Sequence, residues 1–174
     1  REVTLRRVGD VQALNAVYHV CAGAHEDMPA VDVLTDVLTA DQTGRLYKAL
    51  VETQLATRVS ASAPVLHDAG YLEIDVEVRL EKPLDKVRQV ALEVVEGLGK
   101  TEITEAEVDR AKNAFTRRFD LMMNDSGRVG IRLSESSAAG DWRLMFLHRD
   151  RVKKVTPADV KRVASAYLKS SNRT

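Results

Sequence analysis

The sequence has 174 residues, enough for one domain with a substantial core and too few to favour two. Its 26 basic and 26 acidic residues give a formal net charge of zero, which supplies no electrostatic argument for binding nucleic acid or an anionic membrane. No apolar run in the sequence approaches the ~20 residues of a membrane span. The single cysteine excludes an intrachain disulfide or a cysteine-rich metal site.

The chain starts with two stretches of strand-like alternation. Apolar and polar residues alternate from Glu2 to Val8 and, over a longer span, from Val11 to Cys21. The Gly9-Asp10 pair between them is a turn signal, so the two strands are able to form a hairpin, although the order of the turn residues is not the preferred one. One face of the longer strand holds the apolar set Leu14, Ala16, Tyr18 and Val20.

Two helices are predicted next. Asp27 is placed to cap the first helix and Pro29 falls in its first turn, where a missing N–H costs nothing. The wide apolar face of this helix ends near Leu38, which predicts that the helix is mostly buried. A break at Ala40–Gly44 is followed by a second helix over Arg45–Gln54.

Two more strands are predicted over Ala56–Leu66 and Tyr71–Leu80, with a turn between them. The second alternates cleanly, with branched apolar residues on one side. The other side carries Tyr71, Glu73, Asp75, Glu77 and Arg79. A strand with one polar face belongs to an antiparallel sheet that helices cover on one side only.

The remainder of the chain predicts helices. They are expected after Pro83, from the Thr104–Glu107 capping box to about Met123, after Asp125, after Asp141, and from Thr156-Pro157 onwards. No closing strand is predicted before the last residue. Because strands come early and helices late, the sequence predicts an α+β fold: one antiparallel sheet with helices packed on one face, in a single domain over residues 1–174.

The sequence offers no catalytic constellation. His25-Glu26 begins the H-E-x-x-H motif of zinc proteases, but the fourth position after His25 is Pro29, and H-x-x-E-H is absent. His67 and His148 are interpreted as surface histidines, and Cys21 as packing at a strand end. Nucleophile-elbow, P-loop and dinucleotide-binding motifs are missing. No catalytic or metal-ligating residue is therefore predicted.

Two charged clusters leave alternatives open. The outward carboxylates Glu73, Asp75 and Glu77 are able to bind a cation or a basic peptide, but a solvated sheet face is the commoner role of such a row. Their acidity disfavours an RNA-binding sheet, which would need exposed aromatic residues. A basic cluster is formed by Arg149, Arg151, Lys153 and Lys154. It is able to contact an anion, but Asp150 lies inside it, which favours a surface loop.

Three motifs in register resemble one known family. They are T-G-R-L-Y-K-A-L-V-E within Leu38–Glu52, I-T-E-A-E-V-D-R-A-K over Ile103–Lys112, and V-T-P-A-D-V-K-R-V-A-S-A-Y-L over Val155–Leu168. They are similar to the signature helix, long-helix start and closing helix of the pitrilysin/insulinase-type zinc metallopeptidases, which include the mitochondrial processing peptidases. The structural family markers are Gly44, Arg45, Leu46 and Tyr47. Many members have serine in place of Gly44, and either residue is expected to suit the corner.

The resemblance implies a metallohydrolase-like two-layer sandwich of the non-catalytic, C-terminal type, with no zinc ligand and no assigned substrate-binding residue. Zinc would belong to the parent enzyme, in an H-x-x-E-H domain of the same polypeptide or of a partner subunit. This chain would then help to wall a chamber around a peptide substrate. The alternative is a catalytically inactive homologue acting as a scaffold or assembly subunit.

The start of the sequence predicts a longer parent protein. Residue Arg1 is not a methionine, and the strand pattern begins directly after it. We therefore expect a piece excised from a longer multi-domain peptidase. If the protein is bacterial, the resemblance leaves its compartment open between periplasm and cytoplasm.

Overall fold

The structure, a computed structural model, describes residues 2–6 and 8–174. Its strands are β1 (Gln12–Val20), β2 (Ala56–Ser62) and β3 (Gly70–Val78). Its α-helices are α1 (Met28–Thr39), α2 (Leu84–Gly97), α3 (Glu105–Met123), α4 (Ser126–Ala138), α5 (Leu144–Val152) and α6 (Pro157–Tyr167). A π-helical turn spans Tyr47–Val51, and short 3₁₀ turns span Leu98–Lys100 and Ser170–Asn172. The predicted α+β fold is confirmed.

The three strands form one antiparallel sheet in the order β1-β3-β2. Alternate residues of β1 and β3 are buried on the helix side, among them Ala16, Tyr18, Leu72 and Ile74. The residues between them on each strand are exposed or half-buried on the other side, as the alternation predicts. The sheet therefore has one packed face and one open face.

Helix α1 lies at the centre of the helical layer. It contacts β2 and the helices α3, α5 and α6. Its buried residues include Val31, Leu34 and Leu38, none of which has exposed surface. Burial over that much of the circumference agrees with the predicted wide apolar face. Among the described residues, no helix is long and apolar enough to cross a membrane.

The predicted strand over Glu2–Val8 is wrong where the structure describes it. Residues 2–6 are irregular and Val8 lies in a bend, while Arg7 falls outside the described residues. A two-residue loop at Gly9-Asp10 would set Glu2 opposite Val17. However, the outward backbone groups of Val17 already bond to Thr174, N to O at 2.8 Å in each direction. The end of the chain therefore occupies the position on the edge of β1 that would lie opposite Glu2, which excludes that one pair of the hairpin.

The end of the chain also departs from the prediction. No closing strand was expected, yet Arg173 forms an antiparallel bridge with Tyr18, beside the Thr174–Val17 pair. The Asn172 side-chain amide donates to the carbonyl oxygens of His19 and Tyr167, at 2.9 and 2.8 Å. These bonds attach the last three residues to the outer edge of β1.

The second predicted helix and the strand after it are shorter than expected. The chain is helical from Arg45, but the wider π-helical pattern replaces the α-helix, with Leu55 N bonded to Leu50 O at 2.9 Å. Strand β2 has a bulge between Ala56 and Arg58 and ends at Ser62 rather than Leu66. Pro64, which has no N–H to donate, follows closely.

The helix starts are mostly as predicted. Both Thr104–Glu107 and Thr156–Asp159 form complete capping boxes, and Asp125 accepts from two backbone N–H groups of α4. The fifth helix begins at Leu144 instead of near Asp141. Asp141 instead accepts a hydrogen bond from the backbone of Arg143 at 2.9 Å, in the preceding turn.

The corner before the π-helical turn depends on Gly44. A Cβ atom there would lie 2.6 Å from Ala40 N and 2.7 Å from Leu38 O. Both are backbone atoms and cannot rotate away. The expectation that serine suits this corner equally well is therefore wrong for this chain.

We expect Gly44→Ala to lower the free energy of unfolding by about 1–3 kcal/mol, the usual cost of forcing extra atoms into a packed site. Gly130→Ala is the matched control, because nothing lies within 4 Å of its Cβ position in α4. This substitution should raise the stability by up to about 1 kcal/mol through helix propensity. Urea denaturation of both variants measures the difference, and equal stability of the two would contradict the steric argument.

Candidate functional site

Arg45 joins the corner to the start of α3. Its Nε donates to Glu107 Oε1 at 2.8 Å and its Nη2 to Glu107 Oε2 at 3.0 Å. Its Nη1 donates to Thr101 Oγ1 at 2.6 Å, and its Nη2 also reaches the carbonyl oxygen of Glu102. The planar guanidinium suits this two-pronged contact with a carboxylate, which a lysine would not reproduce.

Glu107 has two roles in the same place. Besides binding Arg45, it accepts from the backbone N–H and hydroxyl of Thr104, at 2.9 Å each, which completes the capping box of α3. The Arg45 hydrogen bond, together with those from Thr104, outweighs burial and lowers the pKa of Glu107 to about 2. Glu107 therefore stays ionised and acts as an anchor rather than an acid or base.

The other family markers lie in the packing around this anchor. Leu46 is fully buried in the core, and Tyr47 is half-buried against it. Gly44 makes the close backbone approach described above. The structure thus places Gly44, Arg45, Leu46 and Tyr47 in one structural corner.

An open groove lies beside this corner, with a volume of about 650 Å³. It lies between the end of α1 and one side of α3, and its lining includes Asp36, Thr43, Arg110, Asn113, Arg117 and Arg118. Arg118 Nη2 lies 2.7 Å from Asp36 Oδ2. Neither histidine nor cysteine is among the described residues that line the groove, so it offers no imidazole or thiol for catalysis.

The predicted carboxylate row lies on the open face of the sheet. Asn15 Nδ2 donates to Glu73 Oε1 at 2.5 Å and to Asp75 Oδ1 at 2.7 Å. Arg58 approaches Glu77 at 3.9 Å from the neighbouring strand. Desolvation first, and then the charge of Glu73, raise the pKa of Asp75 above its ordinary value. The row therefore brings like charges together, with the Arg58 guanidinium near Glu77.

The row has no metal-site geometry. In the part of the chain that the structure describes, no group of three or more histidine, cysteine, aspartate or glutamate side chains is arranged to hold a metal ion. A cavity of about 310 Å³ lies on this face, next to Asp75 and Glu77. The arrangement suits contact with cationic side chains better than coordination of a metal.

His148 is not the surface histidine that the sequence predicted. It is only 9% exposed, and its Nε2 lies 2.5 Å from Asp32 Oδ2 on α1. Its ring packs against Phe115 at 5.7 Å between centroids. Its charged neighbours Arg149, Asp150 and Arg151 are half-buried or exposed, so the charged run gave no sign that His148 is buried. By contrast, His67 is exposed beside Asp68, as expected for a turn.

A polar cluster at the start of α1 was missed by the sequence analysis. Asp27 holds the N-cap position, but its side chain makes no capping bond. Instead, Oδ2 accepts from the Tyr167 hydroxyl at 2.8 Å, and Oδ1 lies 2.7 Å from Arg162 Nη1. Burial raises the pKa of Asp27, but these two partners outweigh it and hold the pKa below the ordinary value. No local signal in the sequence links Asp27 to α6.

Cys21 lies beside this cluster and is half-buried. Burial raises the pKa of its thiol, and the charge of Asp27 adds to this effect. A thiol with a raised pKa is a poor nucleophile at neutral pH. The geometry favours the packing role that the sequence indicated.

Two of the four residues of the basic cluster lie in a helix, where a surface loop was predicted. Arg149 and Arg151 belong to α5, and Lys153 and Lys154 form the turn after it. The Arg149 guanidinium stacks over the Phe119 ring at 5.3 Å and also binds the Asp150 carboxylate at 2.8 Å. Arg151 donates to the carbonyl oxygen of Ala24. These contacts assign the two arginines a structural role.

Comparison with known proteins agrees with the structural roles of these side chains. The family model described as the peptidase M16 inactive domain matches residues 1–115. No match was found among curated proteins. A candidate zinc protease from Bordetella pertussis Tohama I is 34% identical, with a TM-score of 0.86 over 93% of this chain and 90% of that one. The inactive peptidase domain of a candidate zinc protease from Bordetella parapertussis is 36% identical, with a TM-score of 0.89 over 99% and 94%.

A more distant structure shares the fold within a longer chain. A protease from Helicobacter pylori is 22% identical, with a TM-score of 0.88 over 95% of this chain but 40% of its own. At that identity the likeness shows the fold alone. It also shows that this fold occurs as a minor part of a longer polypeptide.

We expect Arg45→Lys to lower the free energy of unfolding by about 1–3 kcal/mol, because it leaves the partly buried Glu107 without its two-pronged partner. Arg110→Lys is the matched control, since Arg110 is an exposed arginine on the same helix as Glu107. Chemical denaturation at neutral pH compares the two variants. A loss of stability no larger than that of the control would show that Arg45 does not anchor the corner.

The low pKa of Glu107 predicts how the stabilisation of the fold by the Arg45–Glu107 pair varies with pH. The folded pKa of about 2 lies below the ordinary value of 4.5, so the stabilisation is complete above pH 4.5 and is lost as the pH falls towards 2. Glu107→Gln retains a capping-box side chain but removes the charge. We expect this variant to be less stable than the wild type at pH 7 and to approach it at pH 3. An equal difference at both pH values would contradict the assignment.

Proposed function

We propose that this chain, which belongs to the family of peptidase M16 inactive domains, is a non-catalytic domain of a zinc-dependent peptidase. In this role it walls the chamber that holds the substrate. The observation that supports this role is the asymmetry of the fold. Helices cover one face of the sheet, and the other face is open and carries the carboxylate row. A chamber wall needs one packed side for rigidity and one side free for contact with substrate.

The residues of this chain do not fit a zinc ion. Its four histidines lie on β1, before α1, in a turn and in α5, and the described residues contain no group of three or more potential ligands arranged to hold a metal ion. In the proposed parent, zinc and the H-x-x-E-H helix belong to another domain of the same polypeptide or to a partner subunit. The polar groups of this chain have structural uses: Arg45 and Glu107 anchor a corner, and His148 and Asp32 join two helices.

Peptide contact is assigned to the open face. The raised pKa of Asp75 reflects desolvation and the nearby charge of Glu73, and a lysine or arginine side chain of a substrate would relieve that repulsion. The adjacent cavity of about 310 Å³, which is lined by Asp75 and Glu77 and also by Arg58, gives room for a side chain. The proposed substrate is therefore a peptide, with basic residues favoured on the part that passes this face.

The test uses the full-length peptidase with Glu73→Gln, Asp75→Asn and Glu77→Gln combined. We expect KM for a basic fluorogenic peptide to rise about 5- to 20-fold with little change in kcat, because charge contacts remote from the reaction act on binding. The same substitutions should leave KM for an uncharged peptide unchanged. Glu135→Gln on α4 is the control for a loss of surface charge elsewhere.

The outcomes of this experiment distinguish the chamber-wall role from the scaffold alternative. An unchanged KM for basic and uncharged peptides would contradict the chamber-wall role of this face. A full-length protein that hydrolyses no peptide yet binds a partner subunit would instead favour the scaffold alternative.

A further inference from the structure

Asn15 lies in the middle of the open sheet face and binds two carboxylates at once. Its position on β1 is directly opposite Asp75 of β3. Its Nδ2 group donates to Glu73 Oε1 at 2.5 Å and to Asp75 Oδ1 at 2.7 Å. A side-chain amide has two hydrogens to donate, so these two bonds use its whole donor capacity. One neutral side chain thus joins two like charges.

The neighbours of this pair on the other strand make no such bond. Ser60 of β2 lies opposite Asp75 on its other side, and Ser62 lies opposite Glu73. Among the described residues, no side chain except Asn15 donates a hydrogen bond to either carboxylate. Asn15 therefore holds one oxygen of Glu73 and one of Asp75 within hydrogen-bond distance of a single nitrogen atom, against the repulsion between the two charges.

Each carboxylate keeps its other oxygen for an outside donor. Glu73 Oε2 and Asp75 Oδ2 accept no hydrogen bond from the residues that the structure describes. A guanidinium holds its N–H donors in a rigid plane, so it binds two acceptors of fixed spacing together. An ammonium is a compact point charge and gains less from such spacing. The pair is therefore better suited to arginine than to lysine.

We propose that Asn15 is a positioning residue which makes the open face select arginine over lysine in the peptide substrate. By binding Glu73 and Asp75 together, it presents their remaining oxygens to one guanidinium. The inference rests on the proposed function, because it requires that this face contacts the substrate. Asn15 acts through the two carboxylates and needs no contact of its own with the peptide.

The charge of the pair gives Asn15 a second effect. The charged groups that face Asp75 are Glu73 and Glu77 on its own strand and Arg58 on β2, while the β1 positions opposite the row are neutral. Desolvation and the charge of Glu73 raise the pKa of Asp75, whereas the Asn15 hydrogen bond and the charge of Arg58 lower it. Loss of the Asn15 bond should therefore raise this pKa further, so that Asp75 loses its charge at a higher pH.

Kinetics of the full-length peptidase test the proposal with two fluorogenic peptides that differ in one residue, arginine or lysine. We expect the wild type to have a KM about 3- to 10-fold lower for the arginine peptide, the range for the net contribution of one additional hydrogen bond. Asn15→Ala should bring the two KM values together with kcat unchanged. As the pH falls, KM for the arginine peptide should begin to rise at a higher pH in this variant than in the wild type.

Two further variants control for effects on the fold. Ser60→Ala removes a small polar side chain from the other neighbour of Asp75 without breaking a bond to it, and it should keep the preference for arginine. Asn15→Gln retains a side-chain amide and should restore part of the preference. The triple variant of Glu73, Asp75 and Glu77 described above is measured with the same two peptides.

Equal KM values for the two peptides in the wild type, or a preference that survives in Asn15→Ala, would overturn the inference. An equal loss of the preference in Ser60→Ala and Asn15→Ala would do the same. If the triple variant still raises KM for both basic peptides, the chamber-wall role stands and only the selectivity fails. If the triple variant leaves both KM values unchanged, the face does not contact substrate and both proposals fail.

Discussion

The burial of α1 is the constraint on which the rest of the structure depends. With sheet and helices packed around it, its carboxylates have little access to water, and each is bound by a different outer helix. Asp27, at its start, binds Arg162 and Tyr167 of α6. Asp32 binds His148 of α5, and Asp36 binds Arg118 of α3. One apolar helix thus positions three others, through packing and through charge pairs whose removal would leave partly buried charges uncompensated.

Local patterns in the sequence were sufficient for much of the fold. The period-two alternation in β1 and β3 correctly separated the buried face from the open one. The Thr104–Glu107 capping box lies within four consecutive residues, so its partners could be identified before any tertiary contact was known. The carboxylate row was likewise predictable, because it depends on the same alternation that defines the strand.

What the sequence could not predict depends on residues far apart in the chain. His148 and Asp32 are 116 positions apart, and Asp27 and Tyr167 are 140 positions apart. The position on β1 opposite Glu2 is taken by Thr174 from the other end of the chain, a contact that the alternation over residues 2–8 does not reveal. Gly44 looked replaceable because a turn residue is judged by its own φ and ψ. Glycine is required here because the backbone atoms of Leu38 and Ala40 leave no room for a Cβ atom.

The polar groups of the helical layer are mostly engaged within the chain, and this bears on function. Arg45, Glu107, His148 and Asp27 have partners that fix helices to one another, so recruiting any of them for chemistry would weaken the fold. Two surface features differ from these engaged polar groups. The carboxylate row is held close together against its own repulsion, and the segment before β1 keeps aliphatic side chains in water. Contact with other polypeptide would relieve the repulsion within the row and would bury the aliphatic side chains, as the proposed role within a larger peptidase requires.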